Sequence, residues 1–249
     1  MIADVITIFP EMVEHGLAEG VVGRARARGL IDIRVRDLRD YTEDRHRTVD
    51  DVPYGGGPGM VMKPEPLFRA VDAIAAERGS ATAVVLLMTP QGKLLTHAVA
   101  ERLSREARLV VICGRYEGVD ERVSDALVTE EISIGDYVLT GGELPALVLL
   151  DATARLVPGV VGDAASVAVD SFAGPWLDHP HYTRPAVFRD RAVPDVLLSG
   201  NHAEIDRWRR LERLRRTAAR RPELIDRSAL SDDDRRELDR LKHGPSGAR

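Results

Sequence analysis

The sequence predicts an α/β domain built on a largely parallel sheet, followed by a small all-helical domain. Three observations lead there. Short β-branched runs alternate with amphipathic segments through the first part of the chain, which is the pattern of strands joined by helical crossovers. Those runs are apolar throughout rather than alternating, as strands covered on both faces are. Charge then changes sign along the chain. From Arg184 to Arg249 there are 17 Lys+Arg against 12 Asp+Glu, a balance of +5, and before it 18 against 28, or −10, within an overall −5.

Taken in order, "DVITIF" (Asp4–Phe9), "IDIRVR" (Ile31–Arg36), "AVVLLM" (Ala83–Met88), "LVVIC" (Leu109–Cys113) and "EEISI" (Glu130–Ile134) read as strands. Helical stretches near Pro66–Arg78, Thr96–Ala107 and Glu143–Leu156 lie between several of them. Residues 1–161 are expected to form this body. Residues 162–176, rich in Pro, Gly, Ser and Asp, read as an interdomain linker, and a loop that long usually has a function. In 177–249, Asn201 and Glu204 propose a capping box for a helix whose Ile205, Trp208, Leu211 and Leu214 share a face. Ser231 with Asp234 starts a second helix, and the final "HGPSGAR" is expected to fray.

Composition excludes several classes. The N-terminus MIADVITIFP has an acid where a secretory signal carries basic residues, and runs such as "ALVLL" fall far short of the roughly 20 apolar residues of a membrane span, so a cytoplasmic protein is expected. A single cysteine, Cys113, excludes an internal disulfide framework and thiolate-cluster metal sites. No G-x-G-x-x-G follows a strand, and Gly92-Lys93 lacks the rest of a P-loop, which disfavours nicotinamide enzymes and P-loop NTPases.

Four loops punctuated by glycine or proline sit beside predicted strands: "YGGGPGM" (Tyr54–Met60), "TPQG" (Thr89–Gly92), "CGRYEGVDER" (Cys113–Arg122) and "SIGDYVLTGGELPA" (Ser133–Ala146). Three follow or end a strand, where α/β proteins place ligands. Their glycines are either plain tight turns or points where bare main chain approaches a flat heterocycle. Arg115, Glu117 and Arg122 are either a salt-bridged turn or part of a site. "RWRRLERLRRTAARR" (Arg207–Arg221) holds eight arginines and one glutamate, suiting either a solvated helix face or phosphate contacts.

These loops, together with "FPEM" (Phe9–Met12), "DRHRTVDDVPYGGGPGM" (Asp44–Met60), "DSFA" (Asp170–Ala173), "HYTRP" (His181–Pro185) and "LLSGNHAEI" (Leu197–Ile205), resemble the bacterial tRNA (guanine-N1)-methyltransferases over nearly the whole chain. The resemblance implies a SPOUT-type body with a deep trefoil knot, an obligate homodimer with a shared active site, and methylation of guanine 37, just 3′ of the anticodon, by S-adenosylmethionine. It assigns the donor to Leu87, Met88, Thr89, Pro90, Gly114, Tyr116, Glu117, Gly118, Ser133, Ile134, Gly135, Asp136, Tyr137, Val138, Leu139, Gly141, Gly142 and Pro145. On that view Gly141-Gly142 is bare so that main chain grips adenine.

Guanine N1 becomes a nucleophile only as its proton leaves, so a general base is needed, and Asp170 matches the family's aspartate. Arg155 matches the arginine that stabilises charge growing on O6. The resemblance places His46, Asp50, Gly59, Asp178, Arg184, Asn201 and His202 on the tRNA anticodon stem-loop, and implies a use for Mg²⁺ near Glu117. His179 and His181 are spaced like metal ligands but lack partners in the sequence. They are read as linker or RNA contacts, and no dedicated metal site is expected. Two rival readings remain: a catalytically silent RNA-binding protein, and a related knotted methyltransferase acting on another RNA site.

Overall fold

The computed structural model describes residues 1–79, 83–162 and 170–243. The chain divides into two compact units, Met1–Ala164 and Ala165–Arg249. Among the described residues, no helix is long and apolar enough to cross a membrane.

In the first unit, β1 (Ile2–Thr7), β2 (Asp32–Asp37), β5 (Val84–Leu94), β6 (Arg108–Cys113) and β7 (Glu130–Ser133) form a five-stranded sheet in the order β2-β1-β6-β5-β7, while β3 (Asp50–Asp51) and β4 (Val61–Met62) make a separate two-stranded antiparallel pair. Every pairing within the five-stranded sheet is parallel. The central β6 is buried at every position, which is why its sequence is a continuous apolar run. Leu109, Val111 and Cys113 face one core with α1 (Pro10–Ala18), α2 (Gly20–Ala27), α4 (His97–Ser104) and α6 (Glu143–Ala154). Val110 and Ile112 face a second core with α3 (Pro64–Arg78) and α5 (Glu121–Ala126). The strand period of two therefore feeds both helix layers.

Helix ends follow local chemistry. Thr96 caps α4 by accepting the Val99 N–H at 3.3 Å, and Asp120 caps α5 by accepting the Arg122 N–H at 3.0 Å. The helices α1, α2 and α5 were not expected, because each is short and opens on Pro, Gly or a loop motif. At the buried side of the sheet, Asp4 pairs with Arg36 at 2.9 Å and Arg78 at 3.1 Å, tying β1 to β2 and α3.

The strand expected at Ala83–Met88 runs on to Leu94, with an excursion. Met88 and Lys93 both pair with Ile132 of β7, so Thr89–Gly92 leaves the ladder and the chain rejoins it in a shifted register. Gly92 lies so close to β7 that an added Cβ would stand 2.4 Å from the Glu131 carbonyl carbon and the Ile132 nitrogen.

The second unit is mostly helical but not all-helical. Val187–Phe188 and Arg191–Ala192 form a small antiparallel hairpin, because the turn between them places Arg189 and Asp190 at positive φ, closing a tight reversal. Helices cover Asp195–Leu198, His202–Arg220 and Asp232–His243. Ser231 and Asp234 make the reciprocal cap expected for the last of these, with Asp234 N–H donating to Ser231 Oγ at 3.2 Å and Ser231 N–H to Asp234 Oδ2 at 3.3 Å. The core is Trp176, Leu214, Leu230 and Leu238, so Trp176, at the end of the expected linker, is a packing residue of this unit. The linker residues 163–169 and the tail residues 244–249, where fraying was expected, lie outside the described residues.

Gly92→Ala, which forces backbone against backbone, is expected to destabilise the first unit by about 1–3 kcal/mol in denaturant melts. Gly162→Ala, where nothing lies within 4 Å of the added carbon, is expected to be neutral.

Candidate active site

The carboxyl ends of β5, β6 and β7 enclose a cavity of about 460 Å³. It is lined by every residue expected to hold the methyl donor except Asp136. Gln91, Arg115, Val119, Glu121, Ser124, Glu131, Ile132 and Thr140 line it as well. Of these, Gln91, Arg115, Val119, Glu121 and Thr140 lay inside motifs already singled out. Glu121 and Ser124 belong to α5, which no periodicity announced, and Glu131, Ile132 and Thr140 belong to the β7 segment and its loop.

The bare stretch at Gly141-Gly142 has a cause within the protein. A Cβ on Gly141 would stand 2.1 Å from Arg115 Nε and 2.6 Å from Glu143 Oε2, because the Arg115–Glu143 ion pair crosses over it. A Cβ on Gly142 would stand 2.7 Å from Cys113 Cα. Main chain meets main chain here: Gly142 N–H donates to Gly114 O at 2.8 Å, and Arg115 and Gly141 form an antiparallel bridge. Gly135, at φ 151, carries the Tyr137 ring against it. Internal packing alone therefore requires these glycines.

Glu143, the first residue of α6, is 1% exposed. Its carboxylate accepts from Thr7 Oγ1 at 2.8 Å and from Arg115 Nε at 3.0 Å. The Arg115 guanidinium also stacks on Phe9, 4.4 Å from the ring centre. Burial, and then the Glu143 charge, push the Cys113 thiol well above its ordinary value, so this cysteine is no nucleophile.

A second loop closes on the cavity. Glu117 N–H donates to Met60 O at 3.0 Å, and Met62 N–H to Gly118 O at 2.9 Å. Gly59, at φ 83, leaves room for the Glu117 side chain, whose Oε1 would stand 2.3 Å from a Cβ there. Burial, and then the hydrogen-bonded Asp50 carboxylate, raise the Tyr116 phenol. Asp50 and Gly59 thus sit against the donor-side turn. His46 is exposed in a turn capped by Asp44, which accepts its N–H at 2.9 Å.

Arg155 is the C-cap residue of α6 in the first unit, and Asp170 begins the described part of the second. Asp170 O accepts the Ala173 N–H at 3.2 Å, and neighbouring Ser171 Oγ accepts the Asp178 N–H at 2.9 Å. Leu177 N–H donates to the buried Thr217 Oγ1 at 2.9 Å, which pins this segment to the helix His202–Arg220. Asn201 caps that helix, accepting the Glu204 N–H at 3.4 Å, while Arg184 and His202 are exposed.

His181 has the partner that spacing could not supply: its Nε2 lies 2.8 Å from Asp178 Oδ2. Asp178, His179 and His181 bring ligand atoms within 4.8 Å of one another. The Asp178 carboxylate is already engaged by His181 and the His179 N–H, and Arg216 donates to the Asp178 carbonyl. Several arginines of the basic helix are likewise committed internally: Arg210 to Asp234, Arg215 to Glu237, and Arg213 to Leu177 O. Arg207 and Arg220 are exposed.

A family model described as tRNA (Guanine-1)-methyltransferase TrmD matches residues 1–227. The chain belongs to that family. It is 52% identical over 243 residues to a tRNA (guanine-N(1)-)-methyltransferase of Geobacter metallireducens, covering 98% of each chain. Proteins of the same name from Pelotomaculum thermopropionicum and Dehalococcoides mccartyi are 54% and 52% identical, over 96% of this chain and 95% and 96% of theirs. The protein is accordingly a methyltransferase enzyme, which removes the silent RNA-binding alternative.

Burial raises the Asp178 carboxyl, but the His181 hydrogen bond, the His179 N–H and both imidazole charges outweigh it and hold it below its ordinary 3.8. A depressed carboxylate stabilises the fold above its unfolded value and loses that contribution as pH falls through its folded value. The stability gap between wild type and Asp178→Asn is therefore expected to close as pH falls below 3.8, read by denaturant melts across acid pH.

Proposed function

We propose that the protein transfers the methyl group of S-adenosylmethionine to N1 of guanine 37 in tRNA, with Asp170 as general base. The cavity at the ends of β5, β6 and β7 carries this reading. Its charged lining is Glu117, Glu121 and Glu131 against Arg115. That balance suits a ligand bearing a sulfonium and an ammonium with a single carboxylate. The excursion Thr89–Gly92, the turn Gly114–Gly118 and the loop Ile134–Gly142 are the segments this reading assigns to the trefoil knot.

In the proposed reaction Asp170 takes the N1 proton while the N1 lone pair bonds to the donor's methyl carbon, and the S–CH3 bond breaks with its electron pair left on sulfur as the neutral thioether. Arg155 meets the negative charge growing on O6, which it stabilises more in the transition state than in bound guanine. Residues 1–161 would hold the donor, 162–176 would bring the base to the purine, and 177–249 would grip tRNA through its exposed arginines and an unstacked guanine. The setting is the cytoplasm, where the tRNA substrate resides. Mg²⁺ does not fit a dedicated site at the cavity. Its glutamates do not converge, for among the described residues the single group of three candidate ligands is Asp178, His179 and His181.

The working form we propose is a homodimer with a shared active site. The α6 sequence ELPALVLLDATA is apolar without interruption from Leu144 to Leu150, about two turns between Glu143 and Asp151, and such a stretch is normally covered on every side. Leu144 and Val148 are nonetheless 48% and 47% exposed, beside partly exposed Phe9 and Met12 at the start of α1. A second copy of this chain supplies the missing cover. The double variant Leu144→Glu, Val148→Glu is expected to sediment as a monomer and to lose methyl transfer, whereas wild type sediments as a dimer.

Asp170→Asn is expected to bind S-adenosylmethionine with unchanged affinity by calorimetry yet to lose at least about 10²-fold in methyl transfer to unmodified tRNA transcript. Turnover near wild type would overturn the assignment of the base. Mass spectrometry of the product nucleoside, with a guanine replacement at position 37 as control, separates this reading from a knotted methyltransferase with another target.

A further inference from the structure

The buried carboxylate at the start of α6 carries a consequence for the donor cavity it does not line. Glu143 is 1% exposed, yet both its oxygens are engaged by groups from distant parts of the chain, Thr7 at the end of β1 and Arg115 after β6. Thr7 is also fully buried, and its hydroxyl accepts the Phe9 N–H at 2.9 Å while donating to Glu143. Phe9 in turn lies under the Arg115 guanidinium. The four side chains form one closed set, of which only Arg115 reaches the cavity lining.

Arg115 reaches Glu143 by passing directly over Gly141, and Arg115 and Gly141 are also bridge partners through their main chains. The ion pair therefore clamps the segment after β6 against the loop before α6, at the wall that Arg115 itself lines. Both segments line the cavity. A buried pair of this kind contributes little net stability compared with an apolar replacement, although removing one partner alone is costly. Geometry is the more informative consequence.

We infer that Thr7, Glu143 and Arg115 form a positioning device for the methyl donor: the Arg115–Glu143 pair sets the spacing of the two main-chain walls, and Thr7 fixes Glu143 against the sheet. This rests on the reading of the cavity as the S-adenosylmethionine site. Glu143 touches neither donor nor guanine and acts through Arg115 and the wall it carries.

Two variants perturb the same pair by different routes. Glu143→Gln keeps the shape and one acceptor oxygen, and the Thr7 hydroxyl can accept from the new amide, so the charge is the main loss. Gly141→Ala leaves every charge in place and pushes Arg115 off its path. Calorimetry of S-adenosylmethionine binding to the full-length chain is expected to show a dissociation constant raised about tenfold in each, the usual scale for one charge-assisted hydrogen bond. Because both act through one contact, the double variant is expected to match the weaker single variant rather than the product of the two. Methyl-transfer kinetics should show the donor KM rising while kcat at saturating donor stays within about threefold, a split that general loosening of the fold does not produce.

Unchanged donor affinity in folded Glu143→Gln, or multiplicative effects in the double variant, overturns the inference. If Glu143→Gln does not fold, Arg115→Lys keeps the charge but loses the Nε contact and is expected to show the same KM-selective defect; wild-type donor affinity there overturns it equally. Wild-type protein that binds no S-adenosylmethionine would overturn the cavity reading itself, a result distinguishable from intact wild-type binding with indifferent variants.

Discussion

Backbone has to approach backbone at the carboxyl edge of this sheet, and the rest of the site depends on that constraint. Gly92 against β7 and Gly142 against the Cys113–Gly114 link leave no room for a single added carbon. Where strands end so closely packed, the peptide groups that no longer pair along the ladder must be satisfied locally or by a ligand. Some are satisfied locally, as between Gly142 and Gly114. The remainder of the edge opens into the cavity, where Gly114, Gly118, Gly135, Gly141 and Gly142 bring bare main chain to the lining.

This changes the reason for the glycines. The family resemblance implies that Gly141-Gly142 is bare to meet an adenine ring. The packing shows that Gly141 is bare because the Arg115 and Glu143 side chains occupy the space above it, and Gly142 because β6 does. A sequence can show that side chains are missing; it cannot show which neighbour excludes them when that neighbour lies 26 residues away, as Arg115 does from Gly141. Continuous apolar runs, by contrast, announced β1, β5 and β6 directly, because burial on both faces is a property of the strand itself. The short helices α1, α2 and α5 carry too few turns for periodicity to register. Thr89–Gly92 was visible as a loop, but not its return to the same strand, since register is a relation between two strands and not a feature of one.

The candidate site was legible in the same uneven way. Contiguous motifs named nearly the whole cavity wall because each motif is one loop at one strand end. Asp136 fell inside a motif yet lies off the wall, as a loop that turns around Gly135 aims successive side chains in different directions. Ser124 and Glu131 were missed because they reach the cavity from a helix and a strand outside the loop motifs, while Glu121 stood inside a motif without being assigned to the donor. His181 lacked a partner on paper and has one in Asp178, three residues back.

Charge in the second unit calls for a parallel revision. Eight arginines between Arg207 and Arg221 suggest a continuous cationic face. Much of that charge is spent inside the unit: Arg210 and Arg215 are matched by Asp234 and Glu237 of the last helix, and Arg213 and Arg216 donate to the carbonyls of Leu177 and Asp178. These bonds hold the 177–181 segment and, through Ser171, the turn that begins at Asp170. An arginine so engaged is held in one orientation, and its remaining N–H groups are presented without the entropy loss of ordering a free side chain. On the proposed reading the same helix therefore fixes the segment that carries the base and presents cations to a phosphate backbone, so the geometry of the base and the register of the RNA share one support.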